Sequence, residues 1–131
     1  MRELEATVQD EFATVRDRLE RALSEQGFGV LTEVDVQATF KNKLGVDHEP
    51  HVILGVCNPE LAKQALDVDR DVALLLPCTT TLRWTGNATE IKILDPEKAF
   101  MLASEDARSE LEGLAGDVRT RLAAALRAAR T

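Results

Sequence analysis

The chain has 131 residues, 44% hydrophobic and 30% charged, which is the balance of an ordinary folded protein with material for one buried core. Its net charge of -7 argues against nucleic acid as a partner, because a phosphate-binding surface needs clustered lysine and arginine. The opening MRELEATV lacks an apolar signal-peptide core, and no run reaches the roughly 18 apolar residues of a membrane span; a cytoplasmic protein with two reduced cysteines and no membrane contact is expected.

Leu4, Ala6 and Val8 alternate with Glu3, Glu5 and Thr7, the period of a half-buried strand, against a competing helix that starts at Thr7 with Asp10 three residues on. From about Asp10 the period changes to that of a helix, with Phe12, Val15, Leu19, Ala22 and Leu23 on one stripe and Gly27 as its stop. The segment 28-FGVLTEVDV-36 predicts a strand with Val30, Thr32, Val34 and Val36 on one face, and 37-QATFKNKLG-45 a short helix closed by Gly45.

The run 51-HVILGVC-57 is too short for a helix and rich in β-branched residues, so it predicts an interior strand. Asn58-Pro59-Glu60 then forms a helix start: a capping side chain, a proline whose missing N–H is an orphan donor anyway, and an acid at the positive end of the dipole. The helix 59-PELAKQALDV-68 leads to a second apolar run, 71-DVALLLPC-78, expected to be a strand. The intervening connection is long enough for a parallel crossover, which would bring Cys57 and Cys78 to one edge of the sheet; an antiparallel pair would set them apart.

Two further strands, 79-TTTLRW-84 and 88-ATEIKIL-94, join through Thr85-Gly86-Asn87 as a hairpin. Asp95-Pro96-Glu97 repeats the earlier cap chemistry. The longest helix follows, capped by Ser104, with Glu105 and Asp106 in its first turn and Leu111, Leu114, Val118, Leu122, Ala125, Leu126 and Ala129 as its stripe. Gly113 and Gly116 interrupt it with either a close approach to the sheet or a kink.

The chemistry-bearing residues concentrate between His51 and Cys78. Cys57 precedes a helix N-terminus, which lowers a thiol pKa, whereas apolar packing raises it and leaves the thiol inert. Cys57 or Cys78 as nucleophile, aided by Lys43 or His51, therefore competes with two structural cysteines acting as small hydrophobes. The pattern 48-HEPH-51 with the cysteines raises a metal site, but the histidines flank a proline and HExxH is absent. Phe40, Trp84, Phe100 and Met101 suggest a small-ligand pocket between sheet and long helix, set against plain core packing.

The strings 27-GFGVLTEVDV-36, 41-KNKLG-45, 53-ILGVCNP-59 and 75-LLPC-78, with Asp95-Pro96, resemble the bacterial and archaeal family called domain of unknown function 302 over nearly the whole chain. The resemblance implies a compact, dimeric α+β domain with no assigned reaction. Its recurring positions fall on Gly27, Asp35, Lys43, Gly45, Cys57, Asn58, Pro59, Leu76, Pro77 and Cys78. The 79-TTTLRW-84 hairpin offers an edge for the partner copy to cover.

The expectation is thus a single α+β domain over residues 1–131, a mixed β-sheet packed against two long helices, N-terminal and C-terminal, with short crossover helices between. The expected function is a cytoplasmic, homodimeric binding or interaction domain. A small-molecule site is placed at Lys43, His51, Cys57, Asn58 and Cys78, near Cys57-Asn58-Pro59 and Leu76-Pro77-Cys78, with no cofactor or metal. The alternative is a thiol-dependent enzyme, or a sulfur- or metal-handling protein, with Cys57 and Cys78 as the catalytic groups.

Overall fold

A computed structural model describes residues 4–131; Glu3, the first polar position of the opening alternation, lies outside them. The chain runs β1 (Glu5–Val8), α1 (Phe12–Glu25), β2 (Gly29–Asp35), α2 (Val36–Leu44), β3 (His51–Cys57), α3 (Pro59–Val68), β4 (Cys78–Trp84), β5 (Thr89–Ile93), α4 (Pro96–Ala99) and α5 (Glu105–Ala129). Thr7 belongs to β1 and starts no helix, because the strand buries Ala6 and Val8 and pairs with β5. The helix starts later, after Glu11, whose N–H donates to the Asp10 carboxylate at 2.9 Å.

The strands lie in the order β1-β5-β4-β3-β2, and all four pairings among the described residues are antiparallel. This corrects the parallel crossover. Most of the run expected as a strand, 71–78, is instead a 3-10 turn over Arg70–Leu75, started by the Asp69 side chain accepting from the Asp71 N–H at 2.9 Å. Val72 is the residue of that turn that reaches the core, while Leu74 is 87% exposed. Since the run is spent on a turn, α3 and the turn bring the chain back to the sheet end it left. β4 then has to run back along β3, with Val56 opposite Cys78.

Both long helices cover one face of this sheet. Val52, Leu54, Val56, Leu82, Ile91 and Ile93 point into a core shared with Val15, Leu19 and Leu23 of α1 and Leu122 and Leu126 of α5. A smaller core joins Ala65, Val72 and Phe100 to Ala107, Leu111 and Ala115 of α5. The helix α5 is continuous through Gly113 and Gly116. Two glycines cost about 2 kcal/mol of helix propensity, and each fully buried leucine of the stripe returns about 2 kcal/mol, so burial wins. Nor does either glycine approach the sheet: Gly113 faces open space, and Gly116 faces the Glu97 side chain.

Caps follow the expected chemistry with one exception. Asn58 accepts from the Leu61 N–H at 3.2 Å, and Asp95 accepts from the Glu97 N–H at 2.9 Å while pairing with the Arg119 guanidinium at 3.2 Å. Ser104 occupies the cap position of α5, but its hydroxyl makes no capping bond. The acids Glu105 and Asp106 are left to favour that helix start through the dipole.

Thr80 lies on the core side of β4 between Leu54 and Ile93, fully buried, with no hydrogen-bond partner for its hydroxyl among the described residues. An unpaired buried hydroxyl costs more than a methyl group of the same shape. Thr80→Val is therefore expected to raise the unfolding free energy by about 1 kcal/mol, seen as a higher urea midpoint at unchanged slope. A lowered midpoint would refute this account of Thr80.

Candidate functional site

Cys57 ends β3 and Cys78 starts β4, so the antiparallel return brings the two to the same end of the sheet. The expected neighbourhood is present, but not by the expected route. Both residues line one gap of about 20 Å³ walled by Phe28, Leu61 and Val118, which is room for about one water and no organic ligand. The two thiols are free. Burial pushes the Cys78 thiol up to about 11, with Cys57 adding to the shift, and burial also raises Cys57. Apolar packing thus outweighs the nearby start of α3, and both sulfurs hold their protons at neutral pH.

Asn58 beside them is 7% exposed and holds two helices together. Its Oδ1 caps α3, and its Nδ2 donates to the Gln26 carbonyl at the end of α1, 3.3 Å away. Gly27 makes that approach possible. Its φ is +85°, and a Cβ there would lie 2.8 Å from Asn58 Nδ2. Gly27 and Asn58, far apart in sequence, are therefore two sides of one contact.

The remaining expected site residues lie elsewhere. His51 begins β3, and its ring is about 20 Å along a strand of this length from Cys57. Lys43, on α2, is solvent-exposed and sits toward the His51 end, because α2 leaves β2 where Asp35 pairs with Val52. Lys43 and His51 therefore do not converge on the thiols. A composite site of His48, His51 and the cysteines is not assembled either, and no group of three or more His, Cys, Asp or Glu among the described residues is arranged to hold a metal. The expected aromatic pocket is dispersed as well: Phe40 packs on His48, Phe100 is core, and Met101 is exposed.

Sequence reasoning missed the largest apolar feature near Leu76-Pro77. On the face of the sheet opposite α1 and α5, Val34, Ile53, Gly55, Leu74, Leu94 and Leu102 line a groove of about 550 Å³, bordered by Pro77 and by Lys98 of α4. Gly55 is what lets Pro77 lie on β3, since a Cβ there would meet Pro77 Cγ at 2.5 Å and the Thr32 hydroxyl closer still. The signal was present in 51-HVILGVC-57, which is apolar at Ile53 as well as at the inward positions Val52, Leu54 and Val56. A strand apolar on both faces needs a cover on both.

Two outcomes follow. Gly27→Ala combines a strained φ with a clash against Asn58 and is expected to cost about 1–3 kcal/mol of stability, measured by urea unfolding; a neutral effect would refute the contact. At pH 8 a disulfide reporter reagent is expected to label the native cysteines at least about tenfold more slowly than the urea-unfolded chain. Native labelling as fast as unfolded would show that burial does not protect the thiols.

A family model described as domain of unknown function DUF302 matches residues 4–129. The crystal structure of an uncharacterized conserved protein DUF302 from Bacillus stearothermophilus is similar throughout, with a TM-score of 0.84 and 32% identity, covering 97% of this chain and 98% of that one. No curated protein matches the chain. The family match over residues 4–129 and the shared fold of the solved relative agree: the chain belongs to the DUF302 family.

Proposed function

We propose that this chain is a homodimeric interaction domain, one domain over residues 1–131, whose two copies meet through the uncovered face of the sheet. One observation carries the proposal: Ile53, Leu74, Leu94 and Leu102 are exposed together in the groove, with Leu102 at 80% and Leu94 at 52%. Contiguous apolar surface of this kind marks an association site. Among the described residues Lys98 is the sole charged one lining the groove, which suits an interface core, where charge is depleted. The groove is open rather than enclosed, so it fits a broad protein surface better than a small molecule. A second copy supplies an apolar partner surface by symmetry alone, whatever the net charge of the chain.

The partner surface differs from the hairpin edge expected from 79-TTTLRW-84. β4 lies inside the sheet with β3 and β5 hydrogen-bonded on its two sides, so it has no free edge. The thiol-enzyme alternative draws no support from protonated sulfurs around a gap too small for substrate. Two unpaired cysteines beside each other accord with a reducing, cytoplasmic setting. Among the described residues no helix is long and apolar enough to cross a membrane.

Light scattering of the purified protein at micromolar concentration is expected to give twice the chain mass. Ile53→Glu and Leu74→Glu, both at exposed positions, are expected to give a folded monomer, because a charge in the interface core has no partner there. A monomeric parent protein would reject dimerisation. A dimer unaffected by either variant would move the interface away from this face.

A further inference from the structure

At the end of β3 away from the thiols, a short segment joins α2 to the sheet through two imidazoles. His48 Nε2 and His51 Nδ1 are 3.1 Å apart, with the rings within 14° of parallel. Phe40 of α2 and the His48 ring form a T-shaped pair at 5.1 Å between centroids, and Gln37 of α2 donates to the His48 carbonyl at 3.1 Å. One residue on, Glu49 accepts from Arg83 of β4 at 3.2 Å. The Pro50 carbonyl then accepts from the N–H of Trp84, the single tryptophan, at 2.9 Å. Few other contacts hold this segment, since Lys41–Asp47 is a solvent-exposed pair and Val46 is exposed.

A contact between two imidazole nitrogens has one requirement: at least one must carry a lone pair. With both rings neutral, one nitrogen donates to the other; with one ring protonated, the cation donates to the neutral partner. With both rings protonated, two N–H groups and two positive charges face each other and no bond exists. We propose that His48 and His51 form a proton-operated latch, which holds residues 45–50 against the sheet while at least one ring is neutral and frees them once both are protonated.

The charges around the pair set the direction. His51 faces Arg83 of β4 across the strand pairing, and Arg83 in turn meets Glu90 of β5 at 3.5 Å, with Lys92 at 3.9 Å from the same carboxylate. Glu49 lies 3.7 Å from His48 Nε2. Burial holds the His51 imidazole below its ordinary 6.5, with His48 and Arg83 acting in the same direction and Glu49 and Glu90 opposing. A histidine lowered in the folded state contributes stability above its unfolded value and loses it as pH falls through the lower folded one. The latch is thus closed at neutral pH and opens on acidification.

The amide of Trp84 reports the state of the segment, and the amide of Leu82, buried in the same strand, reports global unfolding. As pH is lowered from roughly 7.5 until the His51 ring-proton shifts in NMR show it protonated, hydrogen exchange is expected to show at least about a tenfold loss of protection at Trp84, with protection at Leu82 kept. His51→Gln leaves His48 a hydrogen-bonding partner at either pH and is expected to abolish the pH response. His48→Ala removes the latch and is expected to leave Trp84 poorly protected throughout. Unchanged Trp84 protection in the native protein, equal loss at Leu82, an acid response that survives in His51→Gln, or full protection in His48→Ala would each overturn the latch.

Discussion

Everything in this molecule follows from a sheet whose two long helices lie on the same side. The helices α1 and α5 pack on each other and over the inward side chains of all the central strands, and they are the two helices long enough to do so. The shorter α3 and α4 attach to the N-terminal half of α5 in a second core, and α4 borders the far face only at the groove's rim, through Lys98 and Ala99. The outer side chains of β2 and β3 are consequently left to solvent or to a partner. That asymmetry separates a packed half, which holds the thiols, from an open half, which holds the apolar groove.

The thiols belong to the packed half for a reason of local chemistry. A helix start favours a thiolate, but only where the sulfur can exchange water for helix amides. Phe28, Leu61 and Val118 remove the water instead, and Asn58 already occupies the Leu61 amide in the first turn of α3. Cys57 and Cys78 then behave as small apolar side chains, and Asn58 acts as a clamp between α1 and α3. Packing at this junction is enough to account for Cys57, Asn58 and Cys78.

Local signals were legible in the sequence, and long-range ones were less so. The stripes of α1 and α5, the Asn58 and Asp95 caps and the Gly45 stop all appear where nearest-neighbour chemistry puts them. The stretch 71–78 misled because a continuous apolar run carries no period, and Asp69 supplies a turn start that competes with the strand. From that error came the parallel crossover. The dispersal of Lys43 and His51 from the thiols was illegible for a related reason: each belongs to a correctly placed element, but which end of β3 faces them depends on strand direction. The groove escaped notice because it depends on what fails to cover Ile53, which no local pattern records.

The pairing of β1 with β5 has a kinetic consequence. Glu5 meets Lys92, and the Arg18 guanidinium donates to the Ala129 carbonyl 111 positions away, so β1 and α1 find their partners in β5 and α5, far along the chain. Contacts of such separation are slow to form, because the loop between them must be closed before they contribute anything. During synthesis the apolar stripe of α1 therefore waits for α5, with Leu19 and Leu23 unprotected in the interval. A chain in which α1 has formed before α5 is available exposes Val15, Leu19 and Leu23, which the folded molecule buries, and a species of that kind is prone to aggregate.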